Sequence, residues 1–333
     1  VSSAALAALF LLAALVSLGT SWLLVSRLER VGERLGLSEG LLGLVAALAA
    51  DAPEITSAIT ALAHHEQRVG AGVILGSNVF NLAALLGLGA VVAGRIALHR
   101  KVVVLGGAFA VPIAVACVLG VQGVVSPFTC FGIALIGLIS YAIVLAEGSR
   151  GLGRMALPRS WVRWLGSAVE EEEGELADAI HPRKGTAADA VVAGGALVTV
   201  VVASIAMERL GSSLGRRYAV PEIVVGALVL AAVTSLPNAV AGIYLASKGR
   251  GAAALSTSLN SNSINVTLGL LLPAVVVGFG EASTLTTILA AWWVGLSTSI
   301  LITAYHSRGL GRGVGTLIVA AYLVFVGWLL VTT

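Results

Sequence analysis

Asp51-Ala-Pro-Glu54 places two carboxylates three residues apart, on one face of any helix that continues through them, in the middle of a long apolar run. Charges at such depth cost several kcal/mol and are usually functional. The chemistry that suits a pair of acids there is oxygen coordination of a hard cation. Further oxygen donors follow in Gly76-Ser-Asn-x-x-Asn81, and the whole pattern recurs as Ser235-Leu-Pro-Asn238 and Asn260-Ser-Asn-x-x-Asn265, offset by 184 residues without a gap. A cation held between the two copies could draw on the carboxylates of Asp51 and Glu54. Amide oxygens of Asn81, Asn238 and Asn265 and hydroxyls of Ser77, Thr234, Ser235 and Ser261 would complete its shell.

Both copies carry a proline at the same place. Pro53 cannot donate its amide and so releases the carbonyl of Ala49, while Pro237 releases that of Val233. Broken helices near the membrane midplane commonly turn such carbonyls toward a transported ion. The competing explanation is packing, since Asn, Ser and Thr join membrane helices and the chain's 40 glycines allow close approach. Packing alone, however, does not require Pro, Ser and Asn at equal offsets in both halves. No Lys or Arg lies at comparable depth, so a bound cation or bound protons must neutralise the acids. Glu208, Glu222 and Asp189 fall near span ends, where water and headgroups are expected to reach them.

Those motifs need helices to hold them. With 58% hydrophobic and 11% charged residues, against roughly 45–50% and 25% in soluble domains, the chain is polytopic membrane protein in composition. Apolar runs near 4–26, 41–63, 69–93, 102–121, 127–146, 187–208, 220–246, 251–279, 284–304 and 313–332 each suffice to cross a hydrocarbon core, which takes about 20 helical residues. The first lacks a basic leader and is too long for a signal sequence's core, so it reads as a span. The expected fold is all-α, with ten transmembrane helices in two five-helix repeats, 1–146 and 187–333, joined by a linker over 147–186. Loops after the odd-numbered spans hold 16 of the 20 basic residues, and the other side holds Arg68, Arg209, Arg216 and Arg217. By the positive-inside rule the 16 are cytoplasmic and both termini external. Five spans per half then makes the repeats inverted.

The linker carries Arg150, Arg154, Arg159 and Arg163 and an acidic run from Glu170 to Glu173. Trp161, Trp164, Leu165 and Val169 at helical spacing suggest a short helix in the headgroup region with Arg163 snorkelling; otherwise the segment is a solvated connection. The acidic run lacks the alternating ligands of a calcium loop, which leaves little signal for regulatory Ca2+ binding. His64 and His65 fall in a short external turn and read as surface residues, with pH sensing the alternative. Cys117 and Cys130 lie in apolar stretches and read as packing residues. Nothing resembles a basic, aromatic-lined nucleic-acid surface or a cofactor motif. No Ser–His pairing or His-Glu-x-x-His motif supports an enzyme.

With these residues in view, the sequence resembles the calcium:cation antiporters, which include sodium/calcium and calcium/proton exchangers. The family's Gly-Thr-Ser-x-Pro-Glu is matched in part by Ala49-Ala-Asp-Ala-Pro-Glu54 and Val233-Thr-Ser-Leu-Pro-Asn238, and its Gly-Ser-Asn-x-x-Asn/Asp by Gly76 to Asn81 and Asn260 to Asn265. The resemblance implies an ion-binding core of spans 2, 3, 7 and 8, across which spans 1 and 6 slide. It implies ligands at Glu54, Ser77, Asn81, Thr234, Ser235 and Ser261, with backbone carbonyls of Ala47 and Ala231. It also implies transport of Ca2+ against Na+ or H+. Departures stand at Asn238 and Asn265, where acidic residues would be expected, and at Ala50 and Asp51, in place of threonine and serine.

Two carboxylates, both from the first repeat, suffice for one Ca2+ and would titrate as a coupled pair, so the expected exchange is one divalent ion for two monovalent ions or protons. Asp51 would compensate for the acid missing at Asn238. The rival readings are an exchanger that has lost Ca2+ and moves another cation, and a channel or uniporter on the same scaffold. A chain with so little loop sequence fits a prokaryotic inner membrane.

Overall fold

The computed structural model describes residues 2–152, 158–177, 184–280 and 283–333. Arg154 of the linker lies outside them. Among the described residues eight helices are long and apolar enough to cross a bilayer, and two bent helix pairs, each counted as one span, bring the number to ten. The first repeat contains α1 (Ser3–Leu35), the pair α2 (Glu39–Ala50) and α3 (Ala52–Ala63), then α4 (Gln67–Asn81). The last continues through a π-helical segment, Leu82–Leu88, into α5 (Gly89–Ala93), and α6 (Arg100–Val121) and α7 (Pro127–Gly151) complete the repeat. After α8 (Arg159–Ala177) in the linker, the second repeat runs α9 (Ala187–Arg217) and α10 (Glu222–Val224). A π segment, Val225–Leu230, then leads into α11 (Ala231–Thr234) and α12 (Leu236–Ser247). It ends with α13 (Gly251–Ile264), a third π segment at Asn265–Leu271, α14 (Leu272–Val277), α15 (Thr284–Ser307) and α16 (Arg312–Thr332).

Local chemistry sets the ends of these helices. Ser38, Ser126 and Ser283 each accept a bond from a backbone N–H in the first turn of α2, α7 and α15, and Thr186 with Asp189 closes a capping box on α9. Gly36 ends α1 in the left-handed region, where a Cβ would be strained. Pro53 and Pro237 enforce the two interior breaks, bends of 46° between α2 and α3 and 51° between α11 and α12. At each break the residue before the turn has the same backbone, φ −82°, ψ −5° at Asp51 and φ −83°, ψ −1° at Ser235. The 184-residue offset is therefore a repeat of conformation as well as of sequence.

Contacts between loops sort them onto two faces. Strand β1 (Arg95–Ala97) pairs antiparallel with β2 (Gly309–Gly311), Ile96 opposite Leu310, so the loops after the third and ninth spans share a face. Gly251, which opens α13, abuts Ala97 and brings the loop after the seventh span to the same place. The Gly185 N–H donates to the Arg30 carbonyl at 2.9 Å, joining the loop after the first span to the end of the linker. Lys101 reaches Ser167 of α8 at 2.9 Å, adding the linker helix to that face. On the opposite face Arg216 pairs with Glu66 at 2.6 Å, and Gly280 packs on Gln67. The basic loops thus lie together on one side, as alternate assignment of the loops requires, and two five-span halves enter the membrane in opposite senses.

Leu11, Leu15 and Trp22 of α1, Val198 and Val202 of α9, and Leu317 and Leu323 of α16 are exposed, the apolar perimeter that lipid covers. The span Gln67–Ala93 is the reverse, 94% buried over its most apolar stretch, which makes the motif-bearing helices the centre of the molecule. Gly76 permits that: a Cβ there would strike the backbone of Ala227, so α4 and the second repeat meet main chain to main chain.

The linker departs from expectation. Helix α8 packs on α2, α6, α7 and α13, and its inward stripe is Val162, Leu165, Ala168 and Val169, while Trp161 is exposed. The acidic run belongs to this packing: Glu172 is buried and accepts the Tyr141 hydroxyl at 2.8 Å, and Glu171 faces His99 and Lys101 at 3.7 Å. Cys117 and Cys130 are free thiols buried in the helix core.

Candidate cation site

The two breaks meet at the centre of the protein. Asp51 ends α2 and begins α3, Glu54 stands in the first turn of α3, and both are fully buried. Ser235 and Asn238 hold the matching places at the start of α12. Because α3 and α12 both begin here, the positive ends of two helix dipoles converge on the acids, while the C-terminal carbonyl ends of α2 and α11 offer negative potential to a cation.

The side chains touch across the repeats. The Asn238 amide donates to Asp51 Oδ1 at 2.6 Å and to Ser261 Oγ at 3.2 Å, and the Ser261 hydroxyl donates to the same Asp51 oxygen at 2.6 Å. Asn81 donates to Ser261 Oγ at 3.0 Å and to Asn262 Oδ1 at 3.2 Å. Asn265 approaches Asn78 Oδ1 at 3.5 Å. Ser235 stands beside the Glu54 carboxylate. Asp51, Glu54, Ser77, Asn81, Thr234, Ser235, Asn238, Ser261 and Asn265 are all buried to within about 1% exposure.

Several of these groups keep an unfilled oxygen. Asp51 Oδ2, both oxygens of Glu54, the hydroxyls of Ser77 and Ser235, and the amide oxygens of Asn81 and Asn265 are buried without a hydrogen-bond partner. Buried polar atoms are normally satisfied, and charged ones strongly so. Among the described residues no Lys or Arg is buried and no ion pair engages either acid, so the protein supplies no cation of its own. Nor is there, among them, a group of three or more His, Cys, Asp or Glu side chains able to hold a metal. The donor set is two carboxylates and neutral oxygens, which fits a hard ion and disfavours zinc or copper.

Four expectations are modified. The carbonyls released by the prolines, those of Ala49 and Val233, share the N–H groups of Asp51 and Ser235 with Ala47 and Ala231 in the tightened turn, and Ala49 also meets the Ser21 hydroxyl of α1 at 3.5 Å. The carbonyls of Ala47 and Ala231 accept helical bonds from Asp51 and Ser235 at 2.9 and 3.1 Å, which leaves one lone pair on Ala47, while Ala231 also accepts the Thr234 hydroxyl. The Thr234 hydroxyl spends its proton on Leu230 and Ala231, at 2.9 and 3.3 Å, and retains only its oxygen for a ligand. Glu208 and Asp189, expected near water, are buried instead. Ser212 donates to Glu208 at 3.0 Å, and Arg27 pairs with Asp189 at 2.7 Å.

Two residues that sequence reasoning left out of the site lie on its axis. Asn78 donates to the carbonyl of Asn262 and Asn262 to that of Asn78, both at 3.2 Å. The available signal was the middle asparagine of each Ser-Asn-x-x-Asn copy.

Among the described residues, a cavity meets the site on the basic side. A cavity of about 210 Å³ between α1, α2, α12 and α13 reaches Ala47, Ala50 and Asn238 from the basic face, and Ala241 and Tyr244 on its wall are exposed. Their mates at the 184-residue offset, Ser57 and Thr60, are buried. There α9 closes over α3: Ser57 reaches the Ser204 carbonyl at 3.5 Å, and Ser17 of α1 contacts Ser204 Oγ at 3.1 Å. Farther out, Arg209 bonds His64, and Ser212 bridges Glu66 and Glu208 at 2.9 and 3.0 Å.

Comparison with known proteins agrees with this architecture. The family model described as sodium/calcium exchanger protein matches residues 5–150 and 189–331, leaving out most of the linker. The inner membrane protein YrbG of Escherichia coli K12 is 24% identical over 310 residues, 88% of this chain and 87% of that protein. Sodium/potassium/calcium exchanger 2 of Gallus gallus is 30% identical over 120 residues, 34% of this chain but 18% of the relative. The sodium-calcium exchanger NCX_Mj, in a structure soaked with Na+ and Sr2+, superposes with a TM-score of 0.63 over 98% of this chain and 99% of that one, at 20% identity, a likeness of fold. With its duplicated motifs facing one another across the bends, the chain belongs to the sodium/calcium exchanger protein family.

Proposed function

We propose that this protein exchanges Ca2+ for Na+ or H+ by alternating access, at a site formed by Asp51, Glu54, Ser77, Asn81, Thr234, Ser235, Asn238, Ser261 and Asn265 with the carbonyls of Ala47 and Ala231. The observation that carries the reading is the pair of buried acids whose three unfilled oxygens lie among unfilled hydroxyl and amide oxygens from both repeats, with no buried cation beside them. Two negative charges balance one divalent ion or two monovalent ones. The exchange is therefore one Ca2+ for two Na+ or H+, with Asp51 supplying the charge that Asn238 lacks.

Charge also explains the coupling. An empty, doubly negative core resists transfer from the open arrangement to the opposite one, because an uncompensated pair of acids would be sealed away from water. Either full load removes that cost, so only loaded states exchange, which is the requirement for antiport. The cavity on the basic face and the seal at Ser57, Ser17 and Ser204 are consistent with a state open to the cytoplasm. The positive-inside rule supports the reading in which that face is inside and both termini are outside. A bacterial inner membrane is supported by the description of the E. coli relative.

A second reading, transport of a different cation, is favoured by Asn238, Asn265 and Ala50, which leave the second repeat's side of the site neutral. Radioactive Ca2+ uptake into proteoliposomes separates the possibilities. Uptake that requires internal Na+ or an acidic interior supports exchange. Uptake without any trans ion identifies a channel or uniporter, and no uptake with any counter-ion excludes Ca2+. A current reversing at a potential set by three or more counter-ions per Ca2+ contradicts the stoichiometry.

A further inference from the structure

The two ends of the ion pathway carry equivalent side chains of opposite charge. On the closed face, the turn from α3 to α4 passes through His65 in the left-handed region, φ 62°, and Glu66 then accepts Arg216 of α9 at 2.6 Å. On the basic face, the turn from α12 to α13 passes through Gly249, φ 76°, and the residue in Glu66's place is Arg250. The partner helices also end alike. Leu37 N–H bonds the Gly32 carbonyl at 3.1 Å after left-handed Gly36, and Val220 N–H bonds the Gly215 carbonyl at 2.8 Å after left-handed Ala219. Aligning α1 and α9 on these ends, at an offset of 183, sets Ser21 on Ser204, Gly32 on Gly215 and Glu33 on Arg216. The pair Glu66 and Arg216 therefore has a counterpart, Arg250 and Glu33, with both charges reversed.

That counterpart is open here. Among the described residues no ion pair engages Glu33 or Arg250. The cavity separates their two walls: Glu29 lines it from α1 and Leu245 from α12, and Glu33 lies one turn past Glu29 while Arg250 follows Leu245 at the end of the same wall. Four neighbouring cations are engaged elsewhere or lie beside the same acid. Arg27 and Arg30 are held by Asp189, and Arg34 adjoins Glu33. Lys248 lies over the Tyr244 ring.

We propose that Glu33 and Arg250 form a second latch, which closes the basic face when the Glu66–Arg216 pair opens. The inference rests on the alternating-access reading above. Its logic is mechanical: α1 and α9 are tied by Ser17 to Ser204 and by Arg27 to Asp189, so they move together. Bringing α1 onto the α12–α13 turn then withdraws α9 from the α3–α4 turn, and one ion pair is exchanged for the other. Each latch is an exposed pair of modest strength, which suits a gate that must open in every cycle.

The test uses the full chain in membrane vesicles, with Cys117 and Cys130 replaced by alanine and a single reporter cysteine at Ala241→Cys. A membrane-impermeant maleimide is added from the basic face, at an ion concentration where the parent is half protected. Glu33→Gln and Arg250→Gln are each expected to shift the open–closed equilibrium about two- to five-fold, the range an exposed pair supports, which raises the labelling rate about 1.3- to 1.7-fold. Glu66→Gln and Arg216→Gln should lower it comparably, and the exchange Glu33→Arg with Arg250→Glu should restore the parent rate. A response to the Glu66 and Arg216 variants with none to Glu33→Gln and Arg250→Gln would overturn the second latch alone. Failure of the exchanged pair to restore the rate would also overturn it. Labelling indifferent to all four substitutions and to saturating cation would overturn alternating access, and the latch with it.

Discussion

Asn78 and Asn262, 184 residues apart, exchange identical hydrogen bonds, each side-chain amide donating to the other's backbone carbonyl at 3.2 Å. This is what an internal two-fold axis looks like at the level of single atoms. Because the bonds are equivalent, Asn78→Ala and Asn262→Ala should lower stability equally, by about 1 kcal/mol each, since either removes one buried bond between the repeats while the facing carbonyl keeps a backbone N–H partner. The double variant should cost less than twice that, because the two bonds support one contact. Thermal unfolding of the purified protein measures all three, and unequal single variants would mean that the axis does not carry equal load.

Removing a buried charge should stabilise the ion-free protein. Asp51→Asn retains an oxygen for Ser261, and Glu54→Gln removes a carboxylate whose two oxygens have no partner. In chelator at alkaline pH both variants are expected to melt above the parent by about 1–3 kcal/mol of stability. A lower melting temperature for both would show that the acids are compensated by groups other than a bound ion.

Asn238→Asp adds a third acid where the present amide donates to Asp51 at 2.6 Å. A donor is lost and like charges are brought together, so the ion-free protein should lose about 2–4 kcal/mol. Saturating cation should restore most of this, and the transport current should require a third monovalent counter-ion. Unchanged ion-free stability would place Asn238 outside the electrostatic reach of Asp51.

Gly76→Ala tests the close approach of the repeats. Its Cβ would meet the Ala227 backbone, which cannot rotate aside, and the expected cost is about 1–3 kcal/mol with slowed exchange. Gly132→Ala, where a Cβ meets nothing, is the control and should be neutral.

Much of this architecture was legible in the sequence because the repeat is ungapped and its breaks are written in proline. Pro53 and Pro237 locate both bends, and the acidic or amide residue next to each falls at the centre. The gathering of the basic loops on one face followed from counting Arg and Lys. What escaped were properties set by partners distant in the chain. Glu208 is four residues from Ser212 but is enclosed only because the turn at Glu66 closes over it. Glu172 sits in a run of four acids that looks solvated until Tyr141 of α7 claims it. The stripe of α8 is displaced by one position from the tryptophans, because α8 packs on helices that a local reading of the linker does not include. The asymmetry of access was illegible for a deeper reason, since one sequence encodes both arrangements and only a structure selects one.

The central claim is that Asp51 and Glu54 together demand a divalent cation or its monovalent equivalent. Thermal stability titrated with Ca2+ tests it most directly, because a ligand bound to the folded protein raises stability by about 2.7 kcal/mol at one hundred times its dissociation constant. The wild type should show that rise, and Asp51→Asn and Glu54→Gln should each abolish most of it. Equal Ca2+ stabilisation of all three proteins would contradict the claim.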